Sequence, residues 1–380
     1  MRQHWTLDPE ITYLNHGSFG ATPRVVLEKQ NEFRAQMERE PVRFFVRELE
    51  PLLDDARREL AAFIGADAEG VAFVPNATAG FNAVLRSLDL DKFDELLLTT
   101  HEYNAICNTV EYVAGVVGAK VVVAEVPFPI ASPDVVVERV LEKVTDRTRL
   151  LVIDHVVSQT ALIFPVERIV KELQSRGIDT FVDGAHAAGF LPLDVRATGA
   201  AYYAGNLHKW VCAPKGAAFL YVRENRRASV RPAVISHGAN SPRRDRSRFL
   251  IEFDWTGTFD PSAWLCVPEA LRTIASIGGG WPEVMRRNRE LALQARDLLC
   301  SELHLQKPAP DEMLGAMAAV LLPKGDQTLQ DRLLFEHRIE VPIMPWPEPL
   351  LRVSAQLYNT FADYEKLVHA LRTELASTAI

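Results

Sequence analysis

Cysteine is scarce in this chain of 380 residues, which has four thiols, at Cys107, Cys212, Cys266 and Cys300. The four are isolated, and none belongs to a C-x-x-C pair. Their spacing therefore indicates neither a zinc site nor a disulfide framework. We expect reduced thiols, no bound metal and a cytoplasmic location.

Long apolar runs and an excess of positive charge are missing as well. No stretch approaches the ~20 apolar residues of a membrane span, and residues 1–8 lack the apolar core of a signal peptide. The formal net charge is −8, and the basic residues are scattered among acidic ones. We therefore expect neither a membrane nor nucleic acid among the partners of this chain.

What the chain does contain is an alternation of short apolar runs with helical patterns. The runs that are typical of buried strands are residues 71–75, 95–99, 120–124, 150–154, 179–183 and 217–222. Strands that alternate with helices predict an α/β fold, in which helices cover both faces of a mostly parallel sheet.

This pattern changes at the three glycines 278–280. A long amphipathic helix is predicted after them, at about 281–303. An α+β segment follows, and its apolar runs at 316–322 and 350–354 are typical of strands.

The two ends of the chain are predicted to form a second, smaller domain. Residues 13–20 contain two glycines in an otherwise extended arm, which is typical of a turn. We predict a large domain at 21–275. The small α+β domain would combine 1–20 with 276–380.

A carboxylate and a lysine stand out beside the predicted sheet. Asp183 closes the apolar run 179–183, and Lys209 follows it 26 residues later, between His208 and Trp210. Pyridoxal phosphate (PLP) chemistry needs such a pair, a lysine for the Schiff base and an acid for the pyridinium nitrogen. Polar groups at strand ends also lie where ligands bind in open α/β sheets. The pair therefore predicts a PLP enzyme.

Five segments occur in the order and spacing of one known family: residues 76–80, 183–186, 208–216, 256–258 and 351–354. They resemble the class V aminotransferases of PLP fold type I. Residues 13–20, 255–258 and 352–359 are most similar to the isopenicillin N epimerase-like branch. The resemblance covers nearly the whole chain. It implies a large PLP-binding domain, a small C-terminal domain and a homodimer that shares its cofactor sites across the interface.

The resemblance assigns roles around the cofactor ring. Lys209 would form the Schiff base and, once freed, act as the base at the α-carbon. Asp183 would keep the pyridine nitrogen protonated, because a nearby anion favours the charged form. His186 would hydrogen-bond the ring hydroxyl region. Tyr103 would stack on the ring where many relatives have histidine, and Ser158 would touch the cofactor O3′ or the substrate.

The phosphate would be held by residues at a helix start and near Lys209. Ala77 and Thr78 open a predicted helix, whose N–H groups suit a dianion. His208 resembles the phosphate-binding histidine of the family, and Asn206 stands where relatives often have serine. Thr258 matches a threonine that reaches the phosphate of the neighbouring subunit.

The substrate is expected to be an amino acid held by its α-carboxylate. Arg352 matches the family's carboxylate-binding arginine, whose planar guanidinium donates two parallel hydrogen bonds. Asn15 would support the same carboxylate. We expect the rest of the pocket to be lined by His16, Phe19 and Tyr103 and by loops near Trp255 and Trp346.

The residues leave the reaction itself open. An epimerase must reprotonate the α-carbon on its opposite face, for which Tyr103 is a conceivable acid; a C–S lyase or an aminotransferase can work with Lys209 alone. The branch favours the epimerase. Cysteine desulfurases of the same class need a nucleophilic cysteine on a loop shortly before the carboxylate-binding arginine. We reject that function, because residues 342–349, which precede Arg352, contain no cysteine.

Two alternative functions are disfavoured: an oxidoreductase that binds a nucleotide, and a member of the family that has lost its catalytic activity. A nucleotide-binding oxidoreductase would need G-x-G-x-x-G after the first strand, where the chain has residues 76–80 instead. A member of the family that had lost its chemistry would be expected to lose Lys209, Asp183 or Arg352, and all three are present.

Overall fold

The computed structural model describes residues 1–377, so the last three residues of the predicted small domain lie outside it. The strands are β1 (Thr12–Tyr13), β2 (Val71–Val74), β3 (Glu95–Thr99), β4 (Lys120–Ala124), β5 (Thr148–Asp154), β6 (Asp179–Asp183), β7 (Tyr202–Asn206), β8 (Ala218–Val222), β9 (Met317–Leu321), β10 (Ile339–Glu340), β11 (Ile343–Met344) and β12 (Leu350–Ser354).

The helices are α1 (His16–Phe19), α2 (Arg24–Arg39), α3 (Pro41–Arg43), α4 (Leu49–Phe63), α5 (Ala77–Leu85), α6 (Asn104–Val117), α7 (Pro133–Leu141), α8 (Val166–Ser175), α9 (Glu224–Arg227), α10 (Arg248–Phe253), α11 (Ser262–Leu265), α12 (Val267–Gly278), α13 (Trp281–Glu302), α14 (Gln327–Phe335) and α15 (Phe361–Ser377). Among the described residues, no helix is long and apolar enough to cross a membrane.

A seven-stranded sheet in the order β2-β8-β7-β6-β5-β3-β4 forms the centre of the molecule. Strand β8 runs antiparallel to both of its neighbours, and the other pairs are parallel. Side chains of β5 point alternately into two apolar clusters: Leu151 and Ile153 belong to one, and Leu150 and Val152 to the other. Burial on both faces explains the continuous apolar runs and confirms the predicted α/β fold.

Strand β7 was not among the predicted strands. Its sequence around Ala204 and Gly205 is rich in small residues, which are weak strand formers. Gly205 is required by packing, because a β-carbon there would lie 2.5 Å from the Phe219 ring on β8. Tertiary contacts therefore place a strand where the local pattern does not predict one.

The C-terminal third builds its own small sheet. Strands β11, β12 and β9 are antiparallel neighbours, and the long helix α13 follows the glycine run as predicted. Strand β1 from the N-terminal arm pairs in parallel with β10. The arm is not wholly extended as predicted, because residues 16–19 form the short helix α1, which Gly20 ends at φ 71°. The domain boundaries themselves stay a prediction.

Candidate active site

A cavity of about 440 Å³ opens at the carboxyl ends of β5, β6 and β7, beside the start of α5. Parallel strands β5 and β6 align Asp154 with Asp183, which brings both carboxylates to this edge of the sheet. Nine of the twelve predicted site residues line the cavity: Ala77, Thr78, Tyr103, Ser158, Asp183, His186, Asn206, His208 and Lys209.

The amine of Lys209 lies 2.9 Å from Nε2 of His186. On the other side of that ring, the indole N–H of Trp210 donates to Nδ1 at 3.3 Å. Since an indole can only donate, Nδ1 must accept, and the proton of the neutral imidazole sits on Nε2. His186 can therefore donate to an uncharged Lys209. Burial, followed by the charge of Arg352, lowers the pKa of Lys209 to about 7, which favours that uncharged and nucleophilic form.

Asp183 presents a buried carboxylate to the same cavity. Its Oδ1 accepts the backbone N–H of Ala185 at 2.8 Å. Burial raises the pKa of Asp183 to about 6, although the Ala185 N–H and the nearby Lys209 act in the opposite direction. A cation placed against this carboxylate would favour its ionised form, as a protonated pyridine nitrogen would.

Polar groups that suit a phosphate gather at the start of α5. The backbone N–H of Ala77, which was expected to bind the phosphate, instead donates to Oδ1 of Asn206 at 2.9 Å, so Asn206 fixes the helix start. The Asn76 side chain caps the same helix by accepting from Ala79 at 2.8 Å. Thr78 then offers its N–H and hydroxyl at the positive end of the helix. His208 donates from Nδ1 to Ala217 at 3.2 Å, which leaves Nε2 for a ligand.

Arg352 on β12 is a buried cation without an acidic partner among the residues described. Its guanidinium donates to the Ser158 carbonyl, to Ser18 Oγ at 2.9 Å and to Asn15 Oδ1 at 3.3 Å. Burial lowers the pKa of Arg352 to about 10. A buried charge that is solvated by neutral acceptors is strongly destabilised until an anion binds, so this guanidinium is suited to a carboxylate.

Three predicted site residues do not line the cavity: Asn15, Arg352 and Thr258. Arg352 contacts Ser18 and Ser158, which do line it. Asn15 accepts a hydrogen bond from Arg352, and its amide nitrogen donates to Glu340 at 3.0 Å. Thr258 is exposed in the loop between α10 and α11.

The expected pocket lining needs correction for His16. Its ring is fully buried, with Nδ1 2.7 Å from the Tyr358 hydroxyl and Nε2 3.0 Å from the Lys209 carbonyl. His16 therefore holds the backbone of the lysine segment by a hydrogen bond and does not line the cavity. The polar pattern of residues 13–20 predicted a contact with the site, but it could not indicate which face His16 would turn towards.

The two tryptophans whose loops were expected to line the pocket also lie outside the cavity, whereas Phe19 and Tyr103 line it as expected. Trp255 lines a second cavity of about 530 Å³, together with Phe45. Trp346 packs against His101, with ring centroids 5.1 Å apart. Both indoles are held by aromatic contacts that the sequence order does not reveal.

Sequence reasoning missed three polar residues of the site, Ser18, Glu102 and Asp154. Ser18 holds Arg352, and Asp154 lines the cavity. Glu102 lies with Asp154 and Asp183 in a group of three buried carboxyls. The signal for Asp154 was present, because it ends a predicted strand that runs parallel to the strand of Asp183. Glu102 is placed beside the two aspartates by the turn after β3, and no local sequence pattern predicts that position.

The chain is similar to known proteins over nearly its whole length. Residues 12–367 match the aminotransferase class-V family. The chain is 40% identical to isopenicillin N epimerase of Amycolatopsis lactamdurans, over 98% of this chain and 97% of that protein. It is 32% identical to a probable chloroplastic L-cysteine desulfhydrase of Arabidopsis thaliana, over 96% of this chain and 83% of that protein. A solved structure of a C-DES mutant, with glycine covalently linked to its PLP cofactor, covers 98% of both chains with a TM-score of 0.83 at 22% identity. The family and fold expected from the sequence are confirmed.

Proposed function

The chain belongs to the class V aminotransferase family and is a PLP-dependent enzyme, and from this we propose that it epimerises an amino acid or an amino-acid-containing substrate at the α-carbon. The observation that carries the proposal is the 40% identity to an isopenicillin N epimerase over 98% of the chain. Arg352, which contacts Ser18, is the group proposed to bind such a substrate, and Lys209, which contacts His186 and has a pKa lowered to about 7, is the group proposed to deprotonate it.

The residues of the cavity fit PLP. Lys209 would hold the cofactor covalently, Asp183 would face its ring nitrogen, and Thr78 with His208 and Asn206 would hold its phosphate. When bound, PLP supplies an electron sink for the negative charge that forms at the α-carbon.

Substrate binding is proposed to centre on Arg352. An α-carboxylate would replace neutral oxygens of Ser18 and Ser158 as the acceptor of its guanidinium hydrogens. Such charge-assisted bonds are stronger than neutral ones, and their planar geometry orients the α-carbon. A carboxylate bound there would also offset the positive charge that lowers the pKa of Lys209, so substrate binding should raise that pKa.

Epimerisation needs proton transfer on both faces of the α-carbon. Lys209 is the proposed base for one face and Tyr103 the proposed acid for the other. Both line the cavity, and Tyr103 keeps 46% of its surface exposed. Its hydroxyl has no hydrogen-bond partner within residues 1–377, so it is available to a substrate.

A C–S lyase is the second candidate, favoured by the 32% identity to a probable L-cysteine desulfhydrase. Lys209 alone can remove the α-proton for that reaction, and an aminotransferase could use the same residue. A cysteine desulfurase stays excluded from the proposal. Residues 345–349 between β11 and β12 carry no thiol, and burial raises the pKa of Cys107 to about 11 and of Cys212 to about 12.

We also propose a homodimer with shared cofactor sites. Thr258 is exposed and lies outside the cavity of its own chain, as a residue that serves a neighbouring site would. Sedimentation analysis of the PLP-loaded protein tests the assembly. A species with the mass of one chain would contradict it.

The reaction is tested by proton NMR of the PLP-loaded protein with a panel of amino acids in deuterated water. Exchange of the α-proton, with build-up of the opposite isomer and an intact side chain, is the expected result. Loss of the β-substituent with release of pyruvate and ammonia would replace the epimerase by the lyase. The Tyr103→Phe variant should keep α-proton exchange and lose isomer build-up.

A further inference from the structure

Three buried carboxyls meet at the edge of the sheet beneath the proposed cofactor ring. One oxygen from each of Glu102, Asp154 and Asp183 lies within 4.8 Å of the other two. The three residues are 4%, 2% and 3% exposed, so water cannot screen their mutual repulsion. Within residues 1–377, no arginine or lysine forms an ion pair with any of them. Three anions are not stable in such a place, because like charges that are buried together raise each other's pKa.

The hydrogen bonds indicate which carboxyl carries the charge. Asp183 accepts the Ala185 N–H at 2.8 Å, lines the same cavity as Lys209, and has its pKa lowered by the charge of that lysine. Glu102 accepts the Tyr103 N–H at 3.1 Å on Oε1, whereas its Oε2 is buried with no partner. Oδ2 of Asp154 is buried without a partner in the same way. A buried carboxylate that receives few hydrogen bonds is costly in its ionised form, so the two carboxyls that each have an oxygen without a partner are the ones expected to be neutral.

The electrostatic surroundings agree with this assignment. Burial, followed by the charge of Asp183, raises the pKa of Glu102 well above its usual range. Burial, Glu102 and Asp183 do the same for Asp154. The other titratable groups that face Asp154 are Cys107, whose own pKa is raised to about 11, and Lys209, which acts weakly in the opposite direction.

We propose that Glu102 and Asp154 are neutral carboxylic acids that position the carboxylate of Asp183 and leave it as the one anion facing the pyridine nitrogen. The inference rests on the proposed placement of the cofactor ring against Asp183. Glu102 has a second contact of consequence, since the same carboxyl accepts the N–H of Tyr103. Glu102 thereby links the residue proposed to stack on the ring to the residue proposed to bind its nitrogen. Both acids are positioning residues.

Infrared difference spectroscopy of the full-length, PLP-loaded protein near neutral pH tests the protonation directly. Subtracting Glu102→Gln or Asp154→Asn from the wild type should reveal the carbonyl stretch of one protonated carboxyl in each case. Glu95→Gln is the matched control. Glu95 is also buried but pairs with Arg147 at 2.9 Å and Lys120 at 3.4 Å, so its spectrum should lose carboxylate bands instead. Carboxylate bands lost from Glu102→Gln or Asp154→Asn would overturn the proposal.

PLP binding tests the positioning role. Glutamine is neutral like a protonated glutamate and keeps an oxygen that can accept the Tyr103 N–H, so Glu102→Gln should keep the visible PLP band and its pH dependence. Glu102→Leu has no acceptor for the Tyr103 N–H and should bind PLP more weakly and shift that pH dependence, while thermal unfolding of both variants reports whether they fold. Weak binding by the glutamine variant would overturn the proposal, because the charge would then be required. Wild-type behaviour of the folded leucine variant would also overturn it.

The pairing of Asp183 with the ring nitrogen and the protonation of Glu102 and Asp154 can be tested independently. If Asp183→Asn binds PLP with an unchanged pH profile, the proposed pairing of Asp183 with the ring nitrogen is wrong. The infrared assignment of protons to Glu102 and Asp154 would be unaffected by that result.

Discussion

The Nε2 atom of His16 lies 3.0 Å from the carbonyl oxygen of Lys209. A carbonyl can only accept, so Nε2 carries the proton and Nδ1 accepts from the Tyr358 hydroxyl at 2.7 Å. Burial lowers the pKa of His16 to about 3, which keeps the ring neutral. One residue away, Asn15 contacts Arg352. The N-terminal arm therefore contacts both the proposed carboxylate site and the backbone of the lysine segment.

Replacing His16 by phenylalanine should destabilise the protein. The ring would still fill the space, but the Lys209 carbonyl and the Tyr358 hydroxyl would each lose a buried partner. An unsatisfied buried polar group costs about 1–3 kcal/mol, and urea unfolding measures the loss. His369→Phe, on the exposed side of α15, is the control and should change little. Equal stabilities of the two variants would contradict the role given to His16.

Glycine at position 20 should be essential to the packing of the arm. A β-carbon there would lie 1.9 Å from the carbonyl oxygen of His208, and the residue has a φ of 71°. Gly20→Ala should therefore displace the arm, weaken PLP binding and lower the unfolding free energy. Gly115→Ala is the matched control, because its β-carbon would meet nothing within 4 Å in helix α6. That control should stabilise the protein by roughly 0.5–1 kcal/mol; a tolerated Gly20→Ala would contradict the close approach.

Arg352→Gln should raise the KM for an α-amino acid and leave the affinity for PLP unchanged. Hydrogen bonds to a charged group contribute about 1.5–3 kcal/mol, so the increase should be roughly 10- to 150-fold. Steady-state kinetics and PLP titration separate the two effects. Arg286→Gln on the exposed face of α13 removes a cation whose partners are Glu283 and Glu290. It should leave KM unchanged, and an equally unchanged KM in Arg352→Gln would refute the carboxylate assignment.

Lys209 should give stability a distinctive pH dependence in the PLP-free protein. Its pKa falls from 10.5 in the unfolded chain to about 7 in the folded one. Between these values the unfolded state binds the extra proton, so the unfolding free energy rises with pH in this window. Below pH 7 the folded state holds a buried charge, and the destabilising effect is complete.

Urea unfolding of wild type and Lys209→Met, from about pH 7 to 10.5, measures this effect as a difference. The methionine variant should be more stable at pH 7, and its advantage should shrink as the pH rises. Lys171→Met, at an exposed position of α8, should show a constant difference from wild type. A constant difference for Lys209→Met as well would mean that the pKa of Lys209 is not lowered.

The sequence predicts the sheet edge and its chemistry because both depend on local patterns. Asp183 closes an apolar run, and Lys209 stands near the start of the next predicted strand. Strand β7, the orientation of His16 and the position of Glu102 depend instead on contacts between residues that are distant in sequence. Strand β7 depends on Phe219 packing over Gly205, and His16 turns inward because Tyr358 and Lys209 provide its partners. No pattern near Glu102 announces that two aspartates from separate strands will lie beside it.

Mapping the lysine that binds PLP tests the account most directly. The PLP-loaded protein would be reduced with borohydride, digested and examined by mass spectrometry for a peptide that carries the reduced cofactor. We predict that the modified residue is Lys209, whose amine lies in the cavity beside His186. Lys215, six residues further along and directed at the Gly20 carbonyl at 3.0 Å, is an internal control in the same region. Modification of Lys215 or of any other lysine in place of Lys209 would contradict the account.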